Sequence, residues 1–368
     1  MSVTPGIRRL LGPLVALALP VVPFPAAAHA AGPVTGPAVV SAVSSAGSPA
    51  TVSPATVSPA GSSTGSSTGS SAASSTVSPA ASSRAADIVL PGTRVTLREQ
   101  ATDALRVTSY SSGTKTYLRR GDGFTRQAAY QEVTVAPKGG KAIAVPTSYR
   151  NGHDSVVLLD LATSKATTIR TVKKPLVAHY AHWSRDGRKA VLTVQRKSGS
   201  AWVTSGFVIV DASARTAKPA IVAQVDGSAR FRWSSDGSDV MAEYRGGTRF
   251  YGQDGAVRRT LVKTGRPAGG EDAFTPSGRG LMTWCPSTYT EHVCVWDRAS
   301  GRLAAKVPGI RPKALWGWWD EKHFIAVIPS GGHYQVVLST LRGRTTRVLA
   351  AFAAADWDAK IYLGYTRR

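Results

Sequence analysis

Trp183-Ser184-Arg185-Asp186-Gly187 closes one apolar run and opens another, Lys189 to Val194 (KAVLTV). The same punctuation returns as Trp233-Ser234-Ser235-Asp236-Gly237 before Asp239 to Tyr244 (DVMAEY), and as Phe274-Thr275-Pro276-Ser277-Gly278 before Gly280 to Cys285 (GLMTWC). Each copy is an aromatic residue, a small hydroxyl residue, a variable position, Asp or Ser, and Gly. A unit that recurs every ~40–50 residues must bury its apolar faces against its own copies, so the repeat governs the fold.

The same register recovers weaker copies. Ala136-Pro137-Lys138-Gly139-Gly140 precedes Lys141 to Val145, Trp318-Trp319-Asp320-Glu321 precedes His323 to Ile328, and Trp357-Asp358 precedes Lys360 to Tyr365. The anchors Val135, Trp183, Trp233, Phe274, Trp318 and Trp357 are spaced by 48, 50, 41, 44 and 39 residues. Further runs in each unit, such as Val156 to Leu161, Phe207 to Asp211 and Val293 to Asp297, bring the count to four short β-runs per period. Asp-Gly supplies the turn chemistry, because Gly accepts positive φ and Asp bonds its own turn backbone. No amphipathic helix of ten or more residues stands out. Four-stranded antiparallel sheets repeated around an axis protect their edges, which predicts an all-β chain folded as a β-propeller. Six blades is the count, or seven if the N-terminal strands make a blade of their own. The last unit ends after one strand, so its outer strands are expected from Arg94 to Leu97, Leu105 to Tyr110, Thr116 to Arg120 and Phe124 to Tyr130, closing the ring with both termini.

The W-S-x-D-G turn followed by a strand and then a V-x-D strand resembles the repeat of TolB-like propellers, related to WD-repeat propellers and to the propeller domain of prolyl oligopeptidases. The likeness spans about Glu132 to Tyr365 and is strongest in the units at Trp183 and Trp233. It implies a propeller and, by analogy with TolB, interactions at the cell envelope. The chain departs from the peptidase pattern by stopping at Arg368 with no hydrolase domain after the propeller, so that activity is not expected.

The ends of the chain read differently. Residues 1–30 have a basic start (Arg8, Arg9), an apolar run from Leu10 to Phe24 and Ala28-His29-Ala30, which predicts an export signal cleaved between Ala30 and Ala31. Pro13, Pro20 and Pro23 interrupt the apolar run, which argues against a retained membrane anchor. Sec and Tat export both fit. Residues 31–86 are Ser, Thr, Ala, Pro, Gly and Val with Arg84 as the sole charge, a composition that cannot offset chain entropy by burial and is expected to be a disordered linker. Gly61-Ser62-Ser63-Thr64-Gly65 matches the serine-hydrolase elbow in letters only, since the elbow needs a strained strand-to-helix turn. Residues 87–368 form the propeller domain.

The chain carries a formal net charge of +23. Of 45 Lys and Arg, three (Arg8, Arg9, Arg84) precede the domain, leaving 42 against 22 acids, a balance of +20. For an exported protein the available polyanions are wall polymers and lipid headgroups, not nucleic acid. The bland alternative is that the excess serves solubility, and the spread of basic residues over all repeats favours it. The two cysteines, Cys285 and Cys294, flank Pro286 to His292. If they pair across a hairpin, Trp284 falls opposite Val295 and Thr283 opposite Trp296. A cross-strand disulfide is the expectation, as export permits; two buried thiols or a two-Cys metal site are the alternatives.

The repeated anchors read as core that fills the wedge between blades. Trp316, Trp318 and Trp319 differ: strand alternation sends Trp318 and Trp319 to opposite faces, so one ring is expected at a rim or channel, able to stack on a sugar or peptide. His179 and His182 precede Trp183 near the expected channel, and with Glu271, Asp272 and Asp356 they are the candidate metal donors. That set resembles a lactonase-like or lyase-like propeller in outline only. No catalytic residue, metal or cofactor is assigned. The reading is a secreted or extracytoplasmic, free or wall-associated, monomeric and non-catalytic TolB-like propeller that binds a protein or an anionic envelope polymer, with no transmembrane segment after signal removal. The alternative is a metal-dependent hydrolase or lyase with its site in the channel.

Overall fold

A computed structural model describes residues 86–368; the export signal, its cleavage site at Ala30 and Ala31, and the linker up to residue 85 lie outside the described residues. The described residues form six antiparallel blades. Blade 1 runs outward through Tyr130–Val135, Lys141–Pro146, His153–Asp160 and Ala166–Lys173. Blade 2 comprises Val177–Trp183, Lys189–Ser198, Ala201–Asp211 and Thr216–Ile221, and blade 3 comprises Arg232–Trp233, Asp239–Tyr244, Gly247–Gly252 and Val257–Leu261. In blade 4, Gly280–Trp284, Val293–Asp297 and Leu303–Val307 are joined on the inner side by bridges from Pro267 to Thr283 and from Phe274 to Leu281. Blade 5 is Ala314–Trp318, His323–Ser330, His333–Thr340 and Thr345–Ala353. Blade 6 starts from the C-terminal strand Tyr362–Arg367 and takes Leu105–Ser112, Lys115–Arg120 and Gly123–Arg126 from the other end of the domain.

Ring closure thus follows the expectation, with one correction. The segment Arg94 to Leu97 does not join the closing blade; Thr96–Glu99 pairs with Thr345–Ala353 and, with Ala86–Val89, extends blade 5 to six strands. Trp357 is also not an anchor. It lies in the short helix Ala354–Asp358, and the strand after it is the innermost of its blade, where Tyr365, 6% exposed, takes the anchor's place.

The apolar runs are continuous because blades stack face to face and cover both sides of their middle strands. Ala190, Val191, Leu192 and Val194 are all fully buried, and full burial of each large aliphatic side chain contributes ~1.5–3 kcal/mol. The anchors fill the gaps between sheets and share one polar bond. The indole N–H of Trp183 donates to Thr134 O, that of Trp233 to His182 O and that of Trp318 to Ala273 O, each at 3.1 Å. In every case the acceptor belongs to the residue just before the preceding blade's anchor. A phenylalanine or valine anchor fills the wedge without that bond.

The turn residues explain the remaining letters of the repeat. Ser184 Oγ accepts from the Lys189 N–H at 3.1 Å and donates to Asp186 Oδ1 at 2.6 Å, while Asp186 Oδ1 accepts from the Arg188 N–H at 3.0 Å. Ser234 and Asp236 repeat this in blade 3, and Thr275 with Ser277 in blade 4. Gly187, Gly237 and Gly278 have φ of 70°, 70° and 76°, a conformation that penalises any side chain.

The disulfide joins Cys285 and Cys294 with Cα atoms 5.0 Å apart. The hairpin register is offset by two residues from the expected one: Trp284 faces Val293, Thr283 faces Cys294 and Leu281 faces Trp296. Cys285 lies just beyond the strand, so the bridge is diagonal. This register lets the Trp296 indole N–H donate to Thr283 Oγ1 at 2.9 Å, which satisfies a buried donor.

Candidate functional site

The innermost strands surround a central cavity of about 800 Å³. Its wall is built from equivalent positions of the repeat. The third residue before each anchor is Glu132 in blade 1, Tyr180 in blade 2, Arg230 in blade 3 and Glu271 in blade 4, and all four line the cavity. Tyr362 holds that place relative to Tyr365 in blade 6.

Two half-buried carboxylates form the polar middle of the wall. Glu132 accepts the backbone N–H groups of Tyr180 at 2.8 Å and Ala181 at 2.5 Å. Those donors are presented by a bulge in Val177–Trp183 at which Tyr180 takes φ of 58°. Such strain persists only where surrounding structure holds it. Burial raises the Glu132 carboxyl to about 6 despite these bonds and the nearby Arg230. Glu271 is raised to about 7, again by burial first, with the Arg232 guanidinium opposing the shift and the Glu132 charge adding to it. Beside Glu271, the Tyr362 hydroxyl is pushed well above its ordinary range by burial and by that carboxylate. Arg232 is committed internally, donating to Gly270 O.

The end of the cavity where the innermost strands begin is cationic. Arg230, Arg266, Lys313 and Lys360 precede the inner segments of blades 3, 4, 5 and 6 in turn, all exposed and all lining the cavity. Arg230 lies over the Tyr180 ring at 3.9 Å and Arg266 over Trp284 at 5.5 Å. Aromatic faces hold these guanidinium groups while leaving their N–H groups free to meet an acceptor. Among the described residues, none of the four side chains forms an ion pair or a hydrogen bond. Glu243, near Arg266, is the remaining acid of the wall. The lining therefore holds five basic side chains, counting Arg232, and three carboxylates. Burial favours the protonated form of two of those carboxylates, Glu132 and Glu271.

The opposite end, formed by the anchor turns, is cross-tied. Arg185, the variable residue of the opening motif, reaches from blade 2 to blade 4. It donates to Asp272 Oδ2 at 2.6 Å and to the carbonyls of Thr275 at 2.6 Å, Pro276 at 2.8 Å and Phe274 at 3.2 Å. Arg298 of blade 4 likewise reaches Ser235 Oγ at 2.9 Å and Asp236 Oδ2 of blade 3.

The residues singled out from sequence are dispersed by this geometry. His182 lines the cavity but is 7% exposed, its Nδ1 has no partner, and burial with the nearby arginines holds its pKa well below the ordinary value. His179 sits one bulge away, with its pKa lowered by burial. Asp272 is tied to Arg185, and Asp356 accepts the Arg94 N–H at 3.3 Å. Among the described residues no three His, Cys, Asp or Glu side chains converge as metal donors. The tryptophans correct the expectation of an exposed ring: Trp316, Trp318 and Trp319 are 6%, 4% and 7% exposed, with only Trp316 lining the cavity and the other two packed between blades. Glu132, Arg230, Arg232 and Tyr362 were missed, although a constant offset from the anchors marks three of them.

No family model and no curated protein matches the chain. Solved structures do resemble it. TolB from Acinetobacter baumannii aligns over 73% of this chain and 67% of its own, with 15% identity and a TM-score of 0.46. A structure of a nidogen/laminin complex aligns over 71% of this chain and 97% of its own at 13% identity and a TM-score of 0.46. An oligogalacturonate lyase in complex with manganese aligns over 72% and 84% at 13% identity and a TM-score of 0.48. These likenesses concern the fold alone, a β-propeller. Among the described residues no helix is long and apolar enough to cross a membrane.

Proposed function

We propose that this chain is an exported, non-catalytic, monomeric propeller that binds an anionic polymer of the cell envelope at the cationic mouth of its central cavity. The observation that carries this reading is the arc of Arg230, Arg266, Lys313 and Lys360, contributed by four consecutive blades and left without internal acceptors. Cations held in a concave wall concentrate polyanions, and the domain's balance of +20 adds a long-range field of the same sign. A polymer fits this better than a folded protein, because an arc within a cavity admits a chain end or a bend more readily than a flat surface. The linker of 31–86 gives the domain reach from whatever holds the N-terminus.

The test is titration of the full mature chain with polyphosphate at several NaCl concentrations, read by calorimetry. Micromolar binding that weakens steeply with salt is expected. Absence of binding, or binding indifferent to salt, overturns the polyanion reading, and a salt-indifferent complex with an envelope protein would point to the other partner class. Polymer recovered shortened after incubation would overturn the non-catalytic part. N-terminal sequencing of the exported protein is expected to begin at Ala31.

A further inference from the structure

The second and third strands of blade 2, Lys189–Ser198 and Ala201–Asp211, are the longest in the described residues. The innermost strand begins at Val177, which pairs with Gln195, so residues 196–203 project past the edge of the blade. They project at the end where the innermost strands start, the end that carries the cationic arc.

The orientation of this overhang is set by two hydrogen bonds. Thr193 Oγ1 accepts the Phe231 N–H at 2.8 Å, and Thr204 Oγ1 donates to Ala229 O at 2.8 Å. Both tie one face of the hairpin to the segment that carries Arg230. Lys197 shares the face of Thr193 by strand alternation, and Trp202 shares that of Thr204. The two are direct cross-strand partners, whose side chains stand together on one side of the sheet. Trp202 is 47% exposed and is the sole aromatic among the exposed large hydrophobic residues described. An indole and an ammonium group therefore stand side by side on the face turned toward the Arg230 segment.

We propose that Trp202 and Lys197 form an outer subsite for an anionic polysaccharide, whose sugar ring stacks on the indole while its charged groups meet Lys197 and continue to Arg230. This rests on the polyanion reading above and adds the chemical class of the polymer. An indole is a platform for the flat face of a ring, and a ring-free polyanion gains nothing from it. A lipid surface fits poorly, because the tip Ser198-Gly199-Ser200-Ala201 offers no apolar wedge to insert.

The test compares two probes of matched charge, a heparin octasaccharide and polyphosphate, on the full mature chain and its Trp202→Ala and Trp202→Phe variants. The wild type is expected to prefer the octasaccharide. Trp202→Ala should lose roughly tenfold in octasaccharide affinity with polyphosphate affinity unchanged, and Trp202→Phe should restore most of the loss. Because Trp202 is exposed, circular dichroism of all three proteins should coincide. Equal octasaccharide binding by wild type and Trp202→Ala overturns the subsite while the polyanion reading stands. A wild type that binds neither probe overturns both.

Discussion

The two ends of the central cavity use the same side-chain chemistry to opposite effect. At the turn end, Arg185 spends its guanidinium on one carboxylate and three carbonyls of blade 4, and Arg298 binds the turn of blade 3. At the strand-start end, Arg230 and Arg266 rest on aromatic rings with no internal acceptor. A saturated arginine holds blades together, whereas an aromatic-backed one keeps its donors for a ligand. The difference separates the cations that tie the ring from those that the proposed polyanion binding would use.

Removing Arg185 should produce the largest effect on stability. Arg185→Ala deletes four charge-assisted bonds and leaves Asp272, whose carboxyl is already raised by burial, without its cation. Both side chains are 31% exposed, which tempers the loss to about 4 kcal/mol in urea unfolding. Arg230→Ala should change stability by less than ~0.5 kcal/mol. Comparable losses from the two variants would erase the distinction between the ends.

Glu271 gives the next largest effect and lies between the ends. Its folded-state pKa is raised from 4.5 to about 7, so the native state holds the proton more tightly than the unfolded chain. The resulting stabilisation is fully present below the unfolded value and is lost as pH rises from about 4.5 through about 7. At 1.36 kcal/mol per pH unit, the wild type should lose on the order of 3 kcal/mol relative to Glu271→Gln over that window. The readout is the slope of stability against pH, because Glu271→Gln also alters the surroundings of Arg232. Parallel curves for the two proteins would mean that Glu271 is not the titrating group. Protonation of Glu271 also removes a negative charge from the cavity wall, so polyanion affinity should rise as pH falls through the same window.

What the sequence disclosed follows from what repeats. The turn letters and the anchors recur along the chain and the ring closure depends on chain order, so periodicity revealed them. Trp357-Asp358 misled because it copies the opening letters of the turn while sitting in a helix. The cysteine hairpin misled because two residues bonded to each other need not face each other, and Trp296 sets the register by seeking Thr283 Oγ1. The tryptophans at 316 to 319 stood out by their density, yet each buries its ring within or between blades. The cationic arc stayed hidden for the opposite reason. Its members are 36, 47 and 47 residues apart, and each looks like an ordinary surface cation until the ring sets them around one cavity.

The smallest predicted effect probes that arc one member at a time. Each cation that meets a polyanion displaces about one counterion, so substituting Arg230, Arg266, Lys313 or Lys360 by Ala should lower the slope of log affinity against log salt by about one. The accompanying loss in affinity should be ~1 kcal/mol near 0.15 M salt, with stability unchanged. Arg188, with a side chain 79% exposed at the turn end, is the matched control whose removal should leave the slope intact. If Arg188→Ala lowers the slope as much as Arg230→Ala does, the polymer responds to net charge over the whole surface. The cavity mouth would then be one patch among many. If only the arc variants lower it, four cations brought together by the ring act as a single site.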